Sequence, residues 1–260
     1  MRLPLPAGPD PLNVGGRYPG ILVRDINGPG QIVGNYADDS ACLLWRDATS
    51  RPERIDVPGA VFCSAVAING RGDILLQAVL RDDQKPLGED EEPATLLVRA
   101  GRITRIVPPE ALAHPLPLLA LDDQGTVFGN VDPNVDAFSW RTSGDGGGAP
   151  QIARLPGMVL AVNGRGDVAL ARPILDDGGA TSRTTTFALA LASGSVDEYG
   201  TMDGLYPMGP EALLGLPFGR YDLQVALNDQ RQLAWTKHEF TTLPSLTANL
   251  ERHAYVCQLR

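Results

Sequence analysis

Apolar positions along this chain come in short runs separated by polar, glycine-bearing turns, with no long helical pattern between them. The pattern is sharpest over residues 65–76. There an apolar run ends at Ile68, the turn Asn69-Gly70-Arg71-Gly72-Asp73 follows, and Ile74-Leu75-Leu76 resumes the run. Residues 160–170 repeat it almost verbatim around Asn163-Gly164-Arg165-Gly166-Asp167. An apolar run, an Asn-Gly-x-Gly turn and a second apolar run predict a β-hairpin. Weaker copies lie at 25–34, 120–129 and 225–234.

The turn positions are Asn27, Asn69, Asp122, Asn163 and Asn228, at intervals of 42, 53, 41 and 65 residues. Such spacing fits one four-stranded blade of ~40–45 residues plus insertions. Third strands are predicted at 41–45, 94–98, 137–140, 186–190 and 253–257. Fourth strands are predicted at 54–59, 102–107 and 151–157, with a less distinct one near 195–199. The fifth unit ends after its third strand. Residues 1–8, with Leu3-Pro4-Leu5-Pro6, resemble the proline-bearing fourth strands and supply the missing one. Proline suits an outer edge, where no N–H is needed.

The expected fold is all-β, a five-bladed β-propeller closed by the N-terminal strand pairing into the last blade. It forms a single domain over 1–260, with blades at 21–60, 61–115, 116–157, 158–205 and 206–260 plus 1–8. An open array or a β-sandwich is the rival.

The pattern Ala-x-x-Ile-Asn-x-x-Gly-x-x-x-Gly, followed by His-Ala-Phe-x-Trp, resembles the HAF repeat of bacterial proteins. Matching residues are Ile26-Asn27 with Gly30 and Gly34, Ile68-Asn69 with Gly72, Ala137-Phe138-Ser139-Trp140, and His253-Ala254-Tyr255. The resemblance spans nearly the whole chain, though no unit matches every position. It implies β-propeller-like repeats in proteins that are often exported, and little about activity.

Composition agrees with a turn-rich β protein: 43% of the 260 residues are hydrophobic, with 29 Gly and 22 Pro. The net charge of −9 argues against nucleic acid or an anionic membrane and leaves a basic protein as the compatible partner. Cys42, Cys63 and Cys257 sit in apolar runs and read as buried thiols. The proline-rich start lacks the apolar segment of a signal peptide, so a cytoplasmic location is expected, or export if such a segment was trimmed.

In a propeller the Asn-Gly hairpins share one face, and the connections between second and third strands share the other. Length variation concentrates in the second set, the usual place for binding loops on a rigid scaffold. Those connections carry Asp38, Asp39, Asp82, Asp83, Glu91, Glu92, Asp132, Asp136, Asp176 and Asp177. They form a candidate acidic binding face, or simply solvated loops. A long insertion adds Tyr206, Phe218 and Tyr221, placed either to stack on a ligand or to pin the insertion. Residues 210–214 within it predict one helical turn.

Recognised chemistry is sparse. Asp25 is the one carboxylate among the aligned first-strand positions and reads as a structural residue. His114, His238 and His253 lack metal-ligand spacing. No nucleophile elbow, phosphate loop or calcium loop occurs, and no catalytic residue, metal or cofactor is implied. Arg71-Gly72-Asp73 and Arg165-Gly166-Asp167 read as turn requirements and not as adhesion motifs. The sequence therefore predicts a non-enzymatic binding protein whose acidic loop face engages a protein partner, as a toxin-neutralising immunity protein would. A lectin-like or glycan-processing propeller is the alternative.

Overall fold

The computed structural model describes residues 3–4, 20–36, 39–81, 92–106, 119–130, 137–143, 148–175, 181–203, 225–242 and 248–259. Every element among them is a β-strand. The first sheet runs β1 (Ile21–Ile26), β2 (Ile32–Tyr36), β3 (Cys42–Trp45) and β4 (Glu53–Ile55). The second runs β5 (Ala60–Ile68), β6 (Ile74–Leu80), β7 (Glu92–Arg99) and β8 (Arg102–Ile106). The third holds β9 (Leu119–Leu121), β10 (Thr126–Asn130), β11 (Ala137–Ser143) and β12 (Gly148–Leu155). The fourth holds β13 (Met158–Val162), β14 (Val168–Leu175), β15 (Thr181–Ala190) and β16 (Val196–Asp203). β17 (Val225–Leu227), β18 (Gln232–Thr242) and β19 (Ala248–Gln258) form the fifth, which has three strands among the described residues.

Four-stranded antiparallel meanders following one another in chain order are the build of β-propeller blades. The all-β, blade-repeat expectation holds at that level. The indistinct fourth strand near 195–199 is β16.

The chain divides into two compact units: Met1–Pro115 with Leu119–Val127, and Leu116–Leu118 with Phe128–Arg260. In the first unit β5 packs beside both β1 and β9. Its core fills the space between the first two sheets, with Val33 and Cys42 on one side and Cys63, Ala65, Leu76, Ala78 and Leu96 on the other. Leu75 and Leu97, alternating with these, are also buried, so the inner strands β6 and β7 are covered on both faces. That is why Ile74-Leu75-Leu76 and Leu96-Leu97-Val98 read as continuous apolar runs. Each such leucine contributes roughly 1.5–3 kcal/mol by leaving water. In the second unit Leu160, Ala169, Ala171, Phe187 and Leu189 pack with Leu227, Leu233 and Leu259.

The first sheet's own cluster is Ile32, Tyr36, Ala41, Leu43 and Trp45, and Leu3 packs against it. The buried Trp45 indole donates Nε1–H to the Pro4 carbonyl at 3.0 Å. The chain's start is thereby fixed on the first sheet. Among the described residues, β18 is the only strand paired with β19.

The cysteine reading needs correction. Cys42 of β3 and Cys63 of β5 form a disulfide, with Cα atoms 5.4 Å apart and a sequence separation of 21. Both lie in apolar runs, as expected, but the two runs belong to adjacent sheets whose packing brings the side chains together. Residue type and local pattern carry no information on that meeting.

Candidate functional site

The hairpin ends of the strands come first, because their chemistry is consumed internally. In all five hairpins the turn residue at the Asn position accepts a main-chain hydrogen bond from the residue three further on. That fourth residue has positive φ: 89° at Gly30, 81° at Gly72, 79° at Gly125 and 86° at Gly166. This is a three-residue loop closing on a left-handed residue, which glycine adopts without strain. The fifth hairpin places Arg231 there at 58°. The second glycine of Asn-Gly-x-Gly is thus the conformational requirement.

The asparagines do more than turn the chain. Asn69 Oδ1 accepts from the main-chain N–H of Arg71 at 3.1 Å and of Asp73 at 2.9 Å. Its Nδ2 donates to the Asp122 carbonyl at 2.8 Å. Asn27 makes the same bond to the Asn69 carbonyl at 2.8 Å, and Asn163 to the Asn228 carbonyl at 3.2 Å. These three amides therefore clasp the next hairpin, whereas the Asn228 amide donates to Gln232 Oε1 within its own turn at 2.8 Å. The sequence reading missed this clasping role. Its only signal was the recurrence of Asn where Asp would turn the chain equally well.

Both Arg-Gly-Asp triplets are buried at the carboxylate. Asp73, 4% exposed, takes Nη2–H from Arg71 at 2.6 Å, Nε–H from Arg99 at 3.2 Å and Nδ2–H from Asn69 at 3.1 Å. Asp167, 2% exposed, is held by Asn163 at 3.1 Å, Arg231 at 3.1 Å and the Ala192 N–H at 3.1 Å. Burial pushes the Asp167 carboxyl up, but the Ala192, Asn163 and Arg231 donors outweigh it and hold the group below its ordinary value. An adhesion ligand needs that carboxylate free; here it ties strands together.

Asp25 is likewise structural. Its two oxygens accept the N–H groups of Ile26 and Ile68, both at 2.8 Å, tying β1 to β5. Burial raises its pKa, and the two backbone donors oppose that only in part. A one-residue irregularity precedes it, between Val23 and Asp25, and recurs between Ala65 and Ala67 and between Val159 and Ala161.

At the other ends of the strands in the first unit lies a groove of about 380 Å³. Phe62 and Ser64 of β5, Gln77 and Val79 of β6, and Pro93 and Thr95 of β7 line it, together with Asp39 from the β2–β3 connection. Phe62 is 49% exposed, although it stands in the apolar run of β5 next to the buried Cys63. Asp39 adopts φ 53°, in the left-handed region that aspartate tolerates better than most residues. Its main chain is anchored at both ends, N–H to the Tyr36 carbonyl at 2.8 Å and carbonyl to the Cys63 N–H at 2.7 Å. The carboxylate accepts from the fully buried Asn35 amide. Asn35 in turn accepts from Arg24 Nε at 3.0 Å. Beside this contact runs the Cys42–Cys63 disulfide.

Asp39 is thus the one predicted site residue whose side chain the structure places. Glu92 opens β7, with only its backbone described. Asp38, Asp82, Asp83, Glu91, Asp132, Asp136, Asp176, Asp177, Tyr206, Phe218 and Tyr221 lie outside the described residues, as do His114 and the predicted turn at 210–214. His238 pairs with Arg252 and His253 with Lys237 across β18 and β19. Among the described residues no His, Cys, Asp and Glu side chains gather as a metal site. No helix among them is long and apolar enough to cross a membrane. Phe62 was not foreseen, since an isolated Phe in an apolar run reads as core.

No family model matches the chain. No curated protein matches it either. Among solved structures, a streptogramin B lyase is similar at TM-score 0.41 and 11% identity, over 93% of this chain and 84% of that one. Virginiamycin B lyase from Staphylococcus aureus is similar at 0.41 and 10% identity, over 94% and 87%. A protein of unknown function from Bacteroides caccae is similar at 0.41 and 14% identity, over 83% and 70%. A lyase name at that distance says nothing of what this chain does.

Proposed function

We propose that this chain is a non-enzymatic binding protein that engages a basic protein partner with the strand ends opposite its Asn hairpins. The observation that carries the reading is a contrast in how charge is used. At the hairpin ends Asp73 and Asp167 are buried and paired with arginines. At the opposite ends Asp39 lines an open groove beside an exposed aromatic. The net charge of −9, with further acidic residues in the same class of connection, adds a field that draws in a cationic surface. Neutralising a basic toxin, as immunity proteins do, is the specific role such a face would serve.

The scaffold we propose is a five-bladed ring, with residues 1–8 completing the last sheet along β19. Leu3 and Pro4 held at Trp45 support it, because a strand closing the ring belongs next to the first blade. The disulfide supports an oxidising compartment in place of the cytoplasm, since such bonds persist where thiols are not kept reduced. Thiol alkylation of the native protein and its mass would show whether two cysteines are oxidised.

Sedimentation with a basic probe protein and with an acidic one, at low and high salt, tests the binding reading. Association with the basic probe alone, weakening as salt rises, supports it. Equal binding of both probes, or of neither, sinks it.

A further inference from the structure

We infer that the groove around Asp39 and Phe62 is a receptor for a single arginine side chain presented by the partner. This rests on the proposed binding of a basic protein and names the group that anchors it. Of the described residues lining the groove, Asp39 alone is ionisable. Among the described residues no cation pairs with its carboxylate. Asn35 Nδ2 donates to one oxygen, Oδ1, which fixes the group without neutralising it.

The rest of the lining is apolar or neutral. Phe62 offers an exposed ring, Val79 and Pro93 offer aliphatic surface, and Ser64, Gln77 and Thr95 offer uncharged polar atoms. An anionic ligand would meet only a carboxylate. A purely apolar one would bury that carboxylate unpaired, a cost of several kcal/mol. A cation with an aliphatic stem satisfies both parts.

Arginine fits better than lysine on two counts. Its planar guanidinium stacks on an aromatic ring while donating in the plane to a carboxylate, whereas an ammonium is a compact, strongly hydrated charge. A volume of about 380 Å³ lies at the small end of ligand sites, ample for one side chain and too small for a folded segment. The site is also built in advance. Both main-chain anchors of Asp39, the buried Asn35 and the neighbouring disulfide hold the carboxylate where it is, so little ordering is left to be done on binding.

The test is an amide-resonance titration of the full chain with three probes: N-acetyl-arginine amide, N-acetyl-lysine amide and the neutral N-acetyl-citrulline amide. The expected result is saturable shifts at Phe62, Ser64 and Thr95 with the arginine probe. Binding should weaken about tenfold with the citrulline probe or in Asp39→Asn, as loss of a charged hydrogen bond implies. Phe62→Leu, which keeps the apolar volume, should weaken the arginine probe more than the lysine probe. Equal binding of arginine and citrulline probes, or shifts elsewhere only, overturns the proposal. If Asp39→Asn still binds the basic probe protein with salt sensitivity, the acidic-face reading stands and the arginine receptor falls. If the unaltered chain binds neither, both fall.

Discussion

The side-chain amide of Asn69 donates to the main-chain carbonyl of Asp122 at 2.8 Å, across 53 residues of sequence. The same amide also meets Asp73 Oδ2 at 3.1 Å. Asn69→Asp would keep the acceptor half of the turn, lose the clasp, and set a second carboxylate against Asp73. We expect a loss of roughly 1–3 kcal/mol in urea denaturation. Asn69→Ala should cost more, because the N–H groups of Arg71 and Asp73 lose their acceptor as well. A loss below about 0.5 kcal/mol for Asn69→Asp would mean the clasp is decorative.

The two glycine positions of the Asn-Gly-x-Gly turn, taken from different hairpins, should separate by φ. Gly72→Ala forces an L-residue to φ 81° and should cost about 1–2 kcal/mol. Its new methyl would also sit 3.0 Å from Gln31 Oε1. Gly28→Ala, in a hairpin where nothing lies within 4 Å of the added carbon and φ is not positive, should fall within about 0.5 kcal/mol of the parent. Paired thermal melts decide it, and equal losses would contradict the turn assignment.

Acid titration should move two aspartates in opposite senses. Asp167 is held below its ordinary value of 3.8, so its contribution is present above that pH and lost as pH falls through the lowered value. Asp25 is raised above 3.8, so its contribution is present below that pH and lost as pH rises through the raised value. Melting temperature against pH should therefore flatten on the acid side in Asp167→Asn. In Asp25→Asn it should flatten above about pH 4. The reverse pattern would show the assignments exchanged.

Opening the Cys42–Cys63 bond releases a 21-residue loop. Loop entropy puts the stabilisation near 3 kcal/mol, since ~15 residues give about that much. Reductant should lower the melting temperature of the parent and leave Cys42→Ala/Cys63→Ala unmoved. An unchanged parent would remove the disulfide from the account.

The ring closure we propose predicts that β19 carries a partner on its outer edge. Hydrogen exchange should show protected amides along both edges of β19, and deleting residues 1–8 should expose one edge while leaving the β18 side protected. Trp45→Phe, which removes the donor to Pro4, should loosen the same edge. Protection on one edge alone in the parent would rule out closure.

The hairpins were legible in the sequence because their causes are local. Asn at the turn, glycine three residues later and apolar runs on either side act within a few residues of one another. Even β16, with its weak signal, could be placed by counting strands per repeat. What escaped depends on residues far apart. Cys42 finds Cys63 only once two sheets have packed, and Asn69 finds Asp122 only when neighbouring turns stand side by side. Phe62 went unremarked because apolar patterning reports the run and not which side chain in it emerges into a groove. Asp39 was named for its charge, but its left-handed backbone and its tie to Cys63 belong to packing.

The clasp has a further consequence. Every Asn-bearing copy brings its own donor and its own carbonyl, so a duplicated segment would arrive already able to grip the segment after it and be gripped by the one before. Growth of such a chain needs no matched pair of changes at a joint, only faithful copying of one asparagine.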